Sequence, residues 1–333
     1  MMESFFNAFL VSLIAAAISA PLVLKLLVSL KSRQTISTHA PEGHQKKQGT
    51  PTMGGIIVLI AIFAGMLCSI RIPNAANLLP YAVLLLGFAL IGFVDDYVVP
   101  KLMEGKRGLG WKQKLILQII LVGVAMLFAP TGISNTPQFN LNQFSAMSFG
   151  WVLLSVLFMS NAYNFSDGLD GLAASLGILM SVGFAFLGHH WGTPDVTIVS
   201  LSMIAGFLVF LFFNAPPALV FMGDIGALPF GAVFGWMLWR LAGLSPDQNW
   251  PWEMLRFWPL FLLIFLMFVE LVPVPLQIFW VKVFKKKLFI YTPIHHAFEK
   301  IGWPETRVVW RFVVVQAVLT SVTILWVLSR GIA

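Results

Sequence analysis

Apolar runs of about 17–25 residues recur along the whole chain, separated by shorter stretches that gather its polar residues, glycines and prolines. A run of that length crosses a bilayer as one α-helix, the form in which a single segment satisfies its own backbone hydrogen bonds in hydrocarbon. The pattern predicts an all-α polytopic membrane protein of about ten transmembrane helices. They fall roughly at 5–30, 53–70, 78–95, 113–130, 147–163, 170–188, 196–213, 225–241, 257–281 and 307–329. The first run lacks a basic leading region and is followed by further spans, so it reads as a retained helix rather than a signal peptide. The ninth contains Pro273 and Pro275, which should break it. Residues 1–333 form a single integral membrane domain, with no internal repeat and no soluble module.

Composition agrees: 58% of the 333 residues are hydrophobic and only 11% are charged. A soluble domain carries about a quarter charged residues, so a water-facing surface of ordinary size is excluded. Cys68, the single cysteine, lies inside an apolar run and forms no intrachain disulfide. The net charge of +7 becomes informative once it is mapped. Most of the 21 basic residues fall in the connections 31–52, 95–114 and 282–307. With 163–170 and 214–224, these make one set of alternate loops. The positive-inside rule places that set in the cytoplasm and both termini in the periplasm.

The same loops hold most of the carboxylates with informative neighbours. "DDY" closes the third span with Asp95 and Asp96, and "NFSDGLDGLA" opens the sixth with Asp167 and Asp170. "FMGD" brings Asp224 before the eighth, and "PIHHAFEK" brings His295 and His296 before the tenth. Singly, each has an ordinary reading. Asp167 beside Ser166, or Asp224 after Gly223, could cap a helix. Asp95 and Asp96 could be interfacial charges, and as neighbours on a helix they would not share a face. The histidines could be solvated loop residues.

Jointly they suit another chemistry. Carboxylates without thiols favour a hard cation such as Mg2+, which commonly bridges substrate phosphates. Lysines and helix N-termini favour phosphate oxygens. Gly168, Gly171, Gly223 and Gly226 let backbone approach a bulky anion. The reading is a magnesium-assisted reaction on phosphate groups at the membrane surface, with no P-loop and no nucleic-acid partner. Glu270, deep in the ninth run, is expected to hold a freed backbone amide or a neighbouring helix rather than to act in the chemistry.

With "PEGHQKKQGTPTMGG", "DDY", "NFSDGLDGLA", "FMGD" and "PIHHAFEKIGWPETRVVWRF", the chain resembles the phospho-N-acetylmuramoyl-pentapeptide-transferase family over nearly its whole length. The resemblance implies transfer of phospho-N-acetylmuramoyl-pentapeptide from its UDP conjugate to undecaprenyl phosphate in the bilayer. The products would be lipid I and UMP, with Mg2+ as cofactor, in peptidoglycan synthesis at the bacterial inner membrane. A homodimer is also implied. A direct displacement and a two-step route through an aspartyl phosphate would use the same residues.

The resemblance assigns catalytic roles to Asp95, Asp96, Asp224 and His295, with Asp224 the metal ligand. Phe221 is implied to stack on uracil. Lys47, Thr52, Lys114, Asn161, Asn164, Asp167, Gly168, Asp170, Asn214, Gln277 and His296 are implied to line the substrate cleft. Three departures stand out: Ala297 in place of a third histidine, Val99 where the family often has lysine, and proline at 273 or 275 where it has serine. Lys101 is the expected substitute for the missing lysine.

Two rival readings remain at this point. A sister enzyme would transfer N-acetylglucosamine-1-phosphate to the same lipid. A cation-coupled secondary transporter would place its carboxylates near the bilayer midplane.

Overall fold

The computed structural model describes residues 2–30, 49–70, 75–103, 108–129, 146–242 and 250–330. These residues form helices joined by turns and loops and include no β-strand. In order, the helices are α1 (Met2–Ser29), α2 (Gly55–Cys68), α3 (Leu79–Phe93), α4 (Val99–Leu102), α5 (Trp111–Leu127) and α6 (Ala146–Ser166). They continue as α7 (Leu172–His190), α8 (Pro194–Asn214), α9 (Asp224–Ala242), α10 (Trp250–Leu271), α11 (Pro273–Phe284), α12 (Ile294–Lys300) and α13 (Glu305–Arg330). Among the described residues, seven helical stretches are long and apolar enough to cross a membrane: α1, Leu79–Leu102, α7, α8, α9, Arg256–Phe284 and α13. The predicted runs at 53–70 and 113–130 fold as shorter helices of 14 and 17 residues.

Nearly every residue of α9 is buried, which makes it the central helix. Its glycines explain how neighbours come so close. A Cβ at Gly231 or Gly235 would run into the α6 backbone at Met159–Ser160 and Ser155–Val156. This small-xxx-small stripe substitutes backbone contact for the hydrophobic driving force that lipid does not supply. Gly55 and Gly226 likewise bring α2 against α9, and Gly92 brings α3 against the backbone of Asp224. The outer helices α1 and α13 instead expose rows of large apolar side chains such as Phe6, Ile18, Leu22, Trp310 and Leu325.

At one end of the bundle, the start of α8 meets the end of α9. Asp195 accepts two hydrogen bonds of 3.0 Å from the Arg240 guanidinium and a third, of 3.2 Å, from the Tyr81 hydroxyl. All three side chains are buried. The opposite end gathers the end of α3, the starts of α5, α7 and α9, the ends of α6 and α8, and the entry to α13.

Candidate active site

Asp95 and Asp96 lie on a π-helical turn, Val94–Val98, inserted at the end of α3. On a regular helix adjacent side chains diverge. The wider π turn rotates less per residue and often marks a functional site. The sequence expectation that the pair would split between faces is therefore corrected: both carboxylates converge on Asp224 at the start of α9. One oxygen from each of Asp95, Asp96 and Asp224 lies within 4.8 Å of the others.

Neighbouring groups hold this cluster together. Lys114 Nζ, from the first turn of α5, sits 2.7 Å from both Asp95 Oδ2 and Asp224 Oδ2. Asn164 Nδ2 donates to Asp224 Oδ1 at 2.8 Å, and the Ile225 amide donates to Asp96 Oδ2 at 3.2 Å. The Leu109 amide donates to Asp95. Gly92 brings the aspartate turn this close, because a Cβ there would overlap the Asp224 carbonyl. A single lysine facing three carboxylates leaves net negative charge, and an all-oxygen donor set at this spacing fits a hard divalent cation.

The "TPTMGG" and "FMGD" segments hold each other through backbone bonds. The Phe221 amide donates to the Pro51 carbonyl at 2.9 Å, and the Gly54 and Gly55 amides donate to the Phe221 and Met222 carbonyls at 2.8 and 3.0 Å. Thr52 is buried beside Gly223, whose φ of +73° suits glycine and whose missing Cβ leaves room for Thr52 and Asp96. Phe221 is half-buried at this junction. Lys47 lies outside the described residues.

Asp167 and Asp170 do not share a helix face. Residues 167–171 form turns, Gly171 takes a φ of +77°, and α7 begins only at Leu172. Asp167 is no helix cap: its Oδ2 accepts from the Gly223 amide at 3.2 Å, beside Asp224. Burial in these loops, with Asp224 and Asp170 nearby, pushes its carboxyl well above the usual carboxylate range. Asp170 accepts from the Ala218 amide at 3.0 Å, and its own amide donates to Glu305 Oε1 at 2.7 Å. Asn214 braces the same loops, accepting from the Gly171 amide at 3.0 Å and donating to the Val220 carbonyl at 2.8 Å. Sequence pattern gave no role to Glu305. Its only signal was its place in "GWPET".

His295 is fully buried on α12, its Nδ1 2.8 Å from Oε2 of the equally buried Glu270. His296 Nδ1 lies 2.6 Å from Glu299 Oε2. Neither histidine is a simply solvated loop residue. The Gln277 side-chain amide holds a loop. It accepts from the Leu288 and Phe289 amides at 3.0 and 2.9 Å and donates to the Phe289 carbonyl at 3.2 Å. Lys101 donates to the Tyr97 hydroxyl at 2.7 Å rather than reaching the cluster. The predicted interruption at Pro273 involves Val272 alone, which keeps helical torsions.

A cavity of about 830 Å³ opens beside the cluster between α5, α6 and the junction of α10 with α11. Its walls are mostly apolar, including Leu115, Leu153, Leu157, Phe158 and Leu271. Lys114, Asn161 and Asn164 supply its polar end, and Lys114 and Asn164 are the same side chains that touch Asp224.

Among the described residues, an all-helical scaffold with membrane-crossing helices thus carries a carboxylate–lysine cluster at its helix ends beside an apolar cavity. The family model described as Glycosyl transferase family 4 matches residues 78–242, from α3 to the end of α9. The class is thus a membrane-embedded transferase.

A second match, described as Phospho-N-acetylmuramoyl-pentapeptide-transferase signature 1, covers residues 47–59, the segment clasped to "FMGD". Among relatives of that name, the chain is 33% identical to one from Staphylococcus saprophyticus over 96% of this chain and 97% of the relative. It is 34% identical to one from Staphylococcus epidermidis over the same shares, and 35% identical to one from Staphylococcus aureus over 91% and 93%. The chain belongs to the phospho-N-acetylmuramoyl-pentapeptide-transferase family.

Proposed function

We infer that this protein carries out the family reaction, moving phospho-N-acetylmuramoyl-pentapeptide from its UDP conjugate to undecaprenyl phosphate to give lipid I and UMP. The observation that carries this reading is the meeting of two environments at Asp224. The apolar cavity approaches it through Lys114 and Asn164, and the polar loops of Asp167, Gly223 and Phe221 approach it from the other side. An acceptor lipid and a water-soluble nucleotide need such an arrangement.

Within this reading, the cavity takes the prenyl chain and places its phosphate against Lys114. Asp95 and Asp96 orient that phosphate or accept its proton, so that an oxygen attacks the sugar-linked phosphorus while UMP departs. Lys114 shields the repulsion between the two anionic substrates. Phe221 offers a π-face to uracil, and Asp167, Asp170, Asn214, Thr52, His295 and His296 shape the nucleotide–sugar pocket. Asp224, with the aspartate pair, would hold Mg2+, whose chemistry is to neutralise charge on bridging phosphate oxygens.

The positive-inside distribution supports ten crossings with both termini periplasmic and the site on the cytoplasmic face of the bacterial inner membrane.

The test is UMP release by the purified protein in detergent with undecaprenyl phosphate and Mg2+, run with UDP-N-acetylmuramoyl-pentapeptide and separately with UDP-N-acetylglucosamine. Release from the first donor alone, abolished by EDTA and by Asp224→Asn, is the expected result. Release from the second donor alone would move the protein to the sister reaction. Release from neither by folded protein would refute a transferase function.

A further inference from the structure

We propose that Glu270 is a positioning residue for this reaction, fixing the His295 imidazole so that its Nε2 faces the donor nucleotide–sugar at the Gly168 turn. The proposal rests on the function inferred above.

Glu270 lies in the last turn of α10, and no part of its side chain reaches solvent. The 2.8 Å contact of its Oε2 with His295 Nδ1 occupies that ring nitrogen, and with Glu270 as a carboxylate, which only accepts, the contact carries its proton on Nδ1. Nε2 is then the atom His295 has left to offer, and it is buried with no hydrogen-bond partner. Glu270 Oε1 is also buried without one. A buried polar atom left unpaired is destabilising, and two packed apolar side chains would fill the same space without that loss. A dyad serving only to join α10 to α12 gives no reason to keep an unsatisfied Nε2. A group waiting for a ligand does.

The geometry also indicates which ligand. A Cβ on Gly168 would stand 2.5 Å from His295 Nε2 and 3.2 Å from His296 Nε2, so both rings turn toward one glycine. Gly168 follows Asp167, which binds the Gly223 amide next to Asp224. None of Gly168, Glu270, His295 or His296 lines the apolar cavity. Nε2 therefore meets the soluble substrate, through a polar group of the uridine nucleotide–sugar, and not the lipid.

The experiment compares wild type, Glu270→Gln, His295→Gln and the double variant in the UMP-release assay, with rates taken per folded protein. Glu270→Gln keeps the size of the side chain, but its amide can donate to Nδ1 and drive the ring proton to Nε2. The expected loss in kcat/KM for the UDP donor is on the order of 10–100-fold, as when the group orienting a functional imidazole is removed. The KM for undecaprenyl phosphate should stay within about twofold. Glu270→Gln should cost less than about twofold further in the His295→Gln background, because the two act as one unit.

Losses that multiply in the double variant would overturn the proposal, as would a Glu270→Gln protein that is less thermostable yet fully active. The 15N spectrum of histidine-labelled wild type, with His295 assigned from its Gln variant, gives a readout that needs no turnover. A proton on Nδ1 is expected, and an Nε2-only proton would overturn the geometry. Wild type that releases no UMP would refute the transferase reading, and the spectrum would then judge the dyad alone.

Discussion

Gly92→Ala adds only one methyl group and removes no polar group, yet it should nearly silence the enzyme. A Cβ at Gly92 would overlap the carbonyl carbon and oxygen of Asp224 and the amide nitrogen of Ile225, all backbone atoms that cannot rotate away. Carbon contacts settle at about 3.5–4.0 Å, so relief requires α3 and the start of α9 to separate by about 1 Å. That movement stretches the 3.2 Å bond from the Ile225 amide to Asp96 and spreads the carboxylates now gathered within 4.8 Å. A misplacement of about 1 Å at a reacting centre costs about 100-fold in rate, or about 2.7 kcal/mol of barrier. Initial rates of UMP release at saturating substrates, per milligram of monodisperse protein, measure it. Gly87→Ala on the same helix is the control, since the atoms nearest its Cβ all belong to the Leu121 side chain, which can change rotamer. Gly87→Ala should stay within about threefold of wild type. A Gly92→Ala enzyme that also stays within about threefold would refute the claim that this glycine sets the carboxylate geometry.

Three further outcomes follow from the same structure. Lys114→Met removes the cation bridging Asp95 and Asp224, and kcat should fall by about 10²–10³, the usual loss for one preorganised electrostatic group; turnover within tenfold of wild type would remove Lys114 from the chemistry. Arg240→Met strands the buried Asp195 carboxylate and should destabilise the protein by about 3–5 kcal/mol, seen as a lower unfolding midpoint in detergent. Activity per folded molecule should be unchanged, because the pair sits at the far end of the helices. Pairing Arg240→Met with Asp195→Leu should recover most of the midpoint, whereas a double variant as unstable as the single one would contradict an uncompensated-charge explanation. Gly231→Leu would force α9 away from the α6 backbone at Met159–Ser160 and should cost about 1–3 kcal/mol by overpacking, read from the same melting curves; an unchanged midpoint would show that this crossing has slack.

The sequence by itself determined the class and most of the cast. Apolar runs predict helices because hydrocarbon cannot satisfy a free backbone, and each predicted run overlaps a helix of the structure. Residue types singled out the aspartates, and the family resemblance added Lys114 and Asn164. Asp95, Asp96, Lys114, Asn164, Asp167 and Asp224, scattered over more than a hundred positions, come together at one end of the bundle. Family motifs then narrowed that task to one reaction.

What the one-dimensional pattern could not carry was local geometry and partnership between distant side chains. Nothing in "FVDDY" announces a π turn, so two adjacent aspartates that ought to diverge instead converge. Gly92 and Gly231 look like any glycines in an apolar helix until another backbone is found where their Cβ would be. Glu270 read as a buried structural acid, and Gln277 as a lining residue. Only packing gave the first to His295 and used the second to hold residues 288 and 289. Hydrophobic period and residue type are properties of the chain, and so survive reading in one dimension. Close approach and hydrogen-bond pairing are properties of the distance between helices, which only the folded structure fixes.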